Sequence, residues 1–205
     1  MEIRKMVLDD LDEVVGVIAK AFIDKPLYKY FAEDEKEREN FLYSIFKYRI
    51  SNNFSDKIID VAVEGRKIIG VASWDFHDLN QKPDSNAVKN MENALSMCRK
   101  ETREHWFYFF KILTTTIKEI IAPPFWALSP IAVLPEEQGK GVGNALIKKK
   151  LKEIDDSHYP CFLATQEISN LKIYEKYGFK VVKEDILALN LPSYNMVREG
   201  CVVTG

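Results

Sequence analysis

Two hydrophobic periods alternate along this chain. From Asp9 to Phe22 the apolar positions Leu11, Val14, Ile18, Ala21 and Phe22 return every three or four residues, which predicts an amphipathic helix opened by Asp9 and Asp10. A second helical run extends from about Glu35 to Ile50, with Phe41, Leu42, Ile45 and Phe46 inward. A third, Asn144 to Ile154, turns Leu146, Ile147, Leu151 and Ile154 inward. Short apolar segments predict strands instead: Ile3 to Met6, Ile58 to Val63, Lys67 to Phe76, Trp126 to Leu134, Cys161 to Thr165, Val181 to Asn190 and Tyr194 to Arg198. Glu64-Gly65-Arg66 joins two of these as a hairpin. Pro26 breaks the chain among the aromatics Phe22, Tyr28, Tyr30 and Phe31, and Pro192 marks a turn.

Residues 78 to 125 stand apart. A loop-like start is followed by two helical stretches. Val88, Met91, Ala94, Leu95 and Cys98 share a face of the first. The second, from about Glu101 to Ile121, carries Trp106, Phe107, Phe109, Phe110, Leu113, Ile117 and Ile120, and Pro123-Pro124 ends it. These aromatics either extend the core or cover a substrate. Strands interleaved with helices predict an α/β architecture.

Composition narrows the function. A length of 205 residues suits one domain spanning 1–205. Twenty-nine basic residues against 31 acidic ones give a net charge of −2, which argues against a nucleic-acid partner. No apolar run reaches the length of a membrane span, and Met-Glu-Ile-Arg-Lys leads straight into a strand without a signal-peptide core. Cys98, Cys161 and Cys201 are odd in number and far apart, so a reduced, cytoplasmic protein without disulfides is expected, either monomer or homodimer. His77, His105 and His158 lack metal-ligand spacing, so no metal is expected. No Gly-x-Ser-x-Gly elbow is present.

The chemistry concentrates after the strand 126–134. Ile131-Ala-Val-Leu-Pro-Glu-Glu-Gln-Gly-Lys-Gly-Val-Gly143 runs from a strand through a glycine loop into a helix. Such a loop presents main-chain N–H groups at the positive end of the helix dipole, which suits a phosphate. The spacing is neither GxxxxGK[ST] nor GxGxxG, since Asn144 occupies the third position of the latter. It resembles the acyl-CoA loop of the GNAT acetyltransferase superfamily, [QR]xxGx[GA], with Gln138, Gly141 and Gly143 in register and Val133-Leu-Pro135 upstream. Ser169-Asn-Leu-Lys-Ile-Tyr-Glu-Lys-Tyr-Gly-Phe179 is similar to the N-x-x-x-Y-[EQ]-[KR]-x-G-F segment of the same superfamily through Asn170, Tyr174, Gly178 and Phe179. The ends of the chain resemble, more loosely, small-molecule acetyltransferases of the puromycin-acetyltransferase-like kind.

The resemblance implies a GNAT fold: a mixed, strongly twisted central sheet with helices on both faces, splayed at the acyl-CoA site, plus a helical insertion (about 78–125) between strands 3 and 4. It implies acetyl transfer from acetyl-CoA to a primary amine of a small molecule, directly in a ternary complex. A protein N-terminus or lysine as acceptor, or a non-catalytic acyl-CoA sensor, stays open. The main-chain N–H groups of Gly139, Lys140, Gly141, Val142, Gly143 and Asn144 would hold the pyrophosphate, and Gln138 would brace the loop through its amide. Ile131, Ala132 and Val133 would align the pantetheine arm by main-chain pairing, and Asn170 would contact its amides. Tyr174 holds the position of the general acid. The amine must lose a proton, because about one in 2,500 is neutral at pH 7 for a pKa of about 10.4. The family's glutamate base is replaced by Ala164, which leaves Asp75, Glu167, Glu136 and Glu137 as candidates. Phe22, Tyr28 and Trp74, with the 101–121 helix, would line the acceptor pocket. Lys148-Lys-Lys150 would either meet the 3′-phosphate or form a wet helix face.

Overall fold

The structure is a computed structural model that describes residues 1–52, 58–80, 85–187 and 190–200. In chain order it contains β1 (Glu2–Lys5), α1 (Leu11–Phe22), α2 (Pro26–Phe31), α3 (Glu35–Ser51), β2 (Ile58–Glu64), β3 (Lys67–His77), α4 (Ala87–Ala94), α5 (Lys100–Ile120), β4 (Phe125–Val133), α6 (Val142–Ser157), β5 (Cys161–Thr165), α7 (Leu171–Glu175), β6 (Lys180–Ile186) and β7 (Pro192–Arg198). Cys201, residues 81–84 of the loop and residues 188–189 of the expected strand lie outside the described residues.

Seven strands form one mixed sheet in the order β1-β2-β3-β4-β5-β7-β6. Neighbours run antiparallel except β4 and β5, which are parallel. That pair bonds only through Trp126 with Cys161 and Ala127 with Phe162. Beyond Ala127 the two strands part, so the sheet opens into a V at the C-terminal ends of β4 and β5.

A bulge in β4 helps to shape the opening. Ala72 faces Ile131, but two residues later Trp74 faces Leu128, so β4 carries one residue too many around Ser129-Pro130. An extra residue bends the strand and leaves its own main-chain groups out of the ladder. Proline is tolerated there because no ladder donor is needed.

Helices cover both faces. Val14, Val15 and Ile18 of α1 share one buried core with Phe41, Leu42, Ile45 and Phe46 of α3 and with Val61 and Val71 of the sheet. On the opposite face α6 lies so close to β3 that a Cβ built on Gly70 would meet Val142 Cγ1 at 2.8 Å and Leu146 Cδ1 at 3.3 Å. The insertion is both core and wall. Trp106 and Phe109 are buried, while Leu113, Ile117 and Ile120 pack on Phe125, Phe162 and Val197 where β4, β5 and β7 meet.

Several local expectations change. Pro26 starts α2, since a proline at the first helical position lacks only an N–H that no helix would use. Arg38 secures this corner: it is 4% exposed and donates to the carbonyls of Ile23, Ala32 and Glu33 at 2.6, 2.8 and 2.8 Å. Those oxygens belong to the ends of α1 and α2, where helices leave acceptors unsatisfied. Pro192 opens β7 instead of marking a turn, at the strand's first residue where a missing donor costs little. Strand β6 ends at Ile186, and Leu187 N–H donates to Leu191 O at 2.8 Å to close the connection. The lysine run is structural at two of its positions. Lys149 reaches the buried Asp60 at 3.2 Å, and Lys150 lies 4.3 Å from the Trp126 ring centre beside Glu153. Burial pushes the Cys161 thiol up to about 12, consistent with an inert core position.

Gly70→Ala should therefore force α6 away from β3. Overpacking of this kind costs about 1–3 kcal/mol. The expected result is a lower urea midpoint with an unchanged slope of unfolding free energy against urea.

Candidate functional site

The V between β4 and β5 is the place where main chain is available. On one side Ile131, Ala132 and Val133 pair with Ala72, Val71 and Gly70 of β3. On the other side, β5 has already diverged. In an antiparallel ladder each alternate residue turns its N–H and C=O away from its partner strand, so the cleft side of β4 carries unused groups. An extended amide chain can add there as a strand does.

At the end of β4 the glycine loop is tied down by a side chain. Gln138 Nε2 donates to Val133 O at 3.0 Å, which joins the loop to the strand it leaves. Gly139 and Gly141 have φ of 76° and 88°, a region costly to residues with a Cβ. Gly141 is the N-cap of α6, and its carbonyl accepts from Ala145 N–H at 3.0 Å. The N–H groups of Val142, Gly143 and Asn144 have no main-chain acceptor among the described residues, as expected for a first helical turn. Lys140 pairs with Glu137 at 3.0 Å. The Asn144 side chain faces away from an anion: its Oδ1 accepts from Tyr177 OH at 2.5 Å and braces α6 against the turn after α7.

The second motif forms the other lip. Asn170 ends a short 3-10 turn after β5, and its Nδ2 donates to Thr165 Oγ1 at 3.1 Å, which fixes the strand end. Tyr174, on α7, is 9% exposed and lines a cavity of about 480 Å³ that opens into the V. Burial, with Glu167 and Tyr177 nearby, pushes its phenol up to about 12, so it keeps its proton at neutral pH.

The cavity runs from the cleft toward α2 and α5. Phe22 and Tyr28 stack with ring centres 5.1 Å apart on one side, and Trp106, Phe109, Phe110 and Leu113 of α5 form another. Burial also pushes the Tyr28 phenol upward. Asp75 and Glu167 both reach this cavity. Glu167 is held by Lys25, whose ammonium lies 3.0 Å from Oε1 and 3.1 Å from Oε2.

Three expectations need correction. Trp74 does not line the cavity: it is 0% exposed and lies on the other face of the sheet. Alternation along β3 puts it with Gly70, against α6, whereas Asp75 and His77 fall on the cavity side. Glu136 and Glu137 sit on the loop outside the cavity. Glu136 is held below the usual carboxylate range by its own main-chain N–H and by Lys67 at 3.0 Å, while Glu137 pairs with Lys140.

The sequence reading missed Lys25, Arg49 and Ser129, all of which line the cavity. A signal existed for Arg49. It lies four residues after Ile45 and three after Phe46, and so places a cation on the apolar stripe of α3. Nothing in the pattern around Lys25 distinguishes it from an ordinary loop lysine.

The sequence model described as an acetyltransferase (GNAT) domain matches residues 86–199. An uncharacterized N-acetyltransferase of Schizosaccharomyces pombe is 22% identical over 87% of this chain and 74% of its own length. A structure described as histone acetyltransferase HPA2 and related acetyltransferase from Corynebacterium glutamicum superposes with a TM-score of 0.70, at 20% identity, over 99% of this chain and 98% of that one. The polyamine N-acetyltransferase of Drosophila melanogaster superposes with a TM-score of 0.65, at 11% identity, over 97% and 99%.

The loop glycines should separate folding from binding. Gly141→Ala places a Cβ at φ 88° and should cost roughly 1–2 kcal/mol of stability. Gly143→Ala puts its Cβ in ordinary contact, 3.7 Å from Val133 Cγ2, and should leave stability equal or raised by up to about 1 kcal/mol. Its calorimetric affinity for acetyl-CoA is expected to fall all the same, since the family motif implies that this glycine loop receives the pyrophosphate.

Proposed function

Because the chain belongs to the GNAT acetyltransferase family, we propose that it moves the acetyl group of acetyl-CoA onto the primary amine of a small molecule, with both substrates held together in the V-shaped cleft. The whole chain 1–205 then serves as one catalytic domain, with α4 and α5 as the insertion that walls the acceptor side. The observation that carries the small-molecule reading is the cavity itself. About 480 Å³, with aromatic walls, falls in the range of small-ligand pockets. A lysine on a protein surface would instead need an open groove. The polyamine N-acetyltransferase among the fold relatives gives the reading independent support.

Each step can be assigned to atoms of this chain. The N–H groups from Gly139 to Asn144 receive the pyrophosphate at the start of α6. The free edge of β4 at Ile131–Val133 pairs with the amides of the pantetheine arm, and one N–H there polarises the thioester carbonyl. Loss of such a donor typically costs about 3–4 kcal/mol of transition-state stabilisation. The amine nitrogen then attacks the carbonyl carbon. Its proton leaves toward Asp75 or Glu167, directly or through water.

Collapse of the tetrahedral intermediate breaks the carbon–sulfur bond. Burial raises the Tyr174 phenol further above the thiol range, which disfavours complete proton transfer to the sulfur. Tyr174 therefore acts by donating a strong hydrogen bond to the departing sulfur, and the proton from the amine completes the balance. This refines the general-acid role implied by the family motif.

Tyr174→Phe should lower kcat by about a hundredfold or more, while the dissociation constant for acetyl-CoA stays within about twofold. The pH profile gives a second check. Because the phenol's pKa is raised, the donor form persists below that pKa and is lost only as pH rises through it. The wild-type rate should therefore show no descending limb from Tyr174 until pH approaches about 12. A descending limb near 10 that vanishes in Tyr174→Phe would count against a buried phenol.

A further inference from the structure

We propose that the acceptor carries a carboxylate as well as an amine, and that Arg49 binds the carboxylate. The proposal rests on the acetyl-transfer reading above and adds the substrate class.

Arg49 projects from α3 into the cavity. Its Nη2 donates to Ser129 Oγ at 3.0 Å and to Ser129 O at 3.4 Å, and its guanidinium carbon lies 5.4 Å from the Phe46 ring centre. Nε and Nη1 have no hydrogen-bond partner among the described residues, and neither is sealed off from open space. No carboxylate of a described residue lies within ion-pair distance of the guanidinium. Lys25, the other cation of the wall, is already paired with Glu167. Arg49 is thus a half-buried cation beside the Phe46 ring with no ion-pair partner among the described residues, although Asp75 and Glu167 line the same cavity. An anion arriving there restores what solvent no longer supplies. Nη1 and Nε stay open on opposite edges of the planar fork, and either can donate a charge-assisted hydrogen bond to a carboxylate.

Position agrees with charge. Ser129 is in the β4 bulge, two residues before Ile131, where the acetyl carbonyl would be held. An amino group and a carboxylate a few bonds apart on one acceptor suit a guanidinium and a carbonyl site held this close along the chain. The surrounding Phe22, Tyr28, Phe109 and Phe110 favour an apolar or aromatic body between or beside these groups. A second cation on the acceptor would meet Arg49 as a like charge.

The test compares initial rates for three amines of similar size: L-phenylalanine, phenethylamine and 1,7-diaminoheptane. Wild type should favour phenylalanine over phenethylamine by about tenfold or more in kcat/KM, with the diamine poorest. Arg49→Gln should erase that preference through the KM for phenylalanine, with a much smaller loss on phenethylamine. Arg49→Lys, which keeps the charge but not the fork, should fall between. Phenethylamine or the diamine as the best substrate would overturn the proposal. So would an Arg49→Gln variant that slows all three alike or weakens acetyl-CoA binding, since Arg49 would then only hold the bulge through Ser129. Transfer to other amines in a wider panel, with none to these three, overturns this inference and leaves the acetyl-transfer reading standing. No consumption of acetyl-CoA with any amine removes both.

Discussion

The parting of β4 from β5 is the constraint on which the rest of this structure depends. Two residue pairs join the halves of the sheet, and beyond them the strands separate. Separation leaves main-chain groups of β4 without a strand partner, which a soluble protein tolerates only at a wet or ligand-bearing edge. The bulge at Ser129-Pro130 bends β4 along the opening, and Gln138 fastens the loop back to Val133. On the far lip, Asn170 fastens the turn to Thr165. Both motif side chains thus hold the edges of one gap, and Tyr174 of α7 lines the cavity that opens into it.

Much of this was legible because it is written in spacing. The strand–glycine loop–helix run needs residues at fixed offsets, so Gln138, Gly141 and Gly143 announce their geometry without help from distant parts of the chain. The same holds for Asn170 and Tyr174. Phe22 and Tyr28 could be expected to lie together because aromatic residues clustered around one break, and both line the cavity. What could not be read was which face of a fully buried strand a residue takes. Every residue from Ile68 to Trp74 in β3 is buried, so hydropathy does not alternate and Trp74 carried no mark of its side. Its position against α6 follows from the register with β2 and β4, which is a long-range property.

Charged residues on apolar stripes were the other blind spot. Arg38 and Arg49 both lie on α3, eleven positions apart, and both turn inward. The first satisfies three carbonyls at the ends of α1 and α2, and so fixes the corner that carries Phe22 and Tyr28. The second grips the β4 bulge. A sequence reading that assigns every arginine to solvent loses both, because their partners, main-chain oxygens and the Ser129 hydroxyl, are ones that composition does not register. Long side chains with apolar stems make such placements affordable in packing terms.

The layout of the cavity has a consequence for how such proteins diversify. Under the proposed function the donor cleft spans residues 126 to 174, within the segment 86–199 that matches the family. Phe22, Lys25, Tyr28 and Arg49 lie before that segment, Lys25 and Arg49 reaching across to Glu167 and Ser129, whereas α5 lies within it. Under the proposed function, the acyl carrier would be held wholly within the family segment, while acceptor choice would draw on residues both before it and within it. Two descendants could share every residue that grips the acyl carrier and still part company over what they modify.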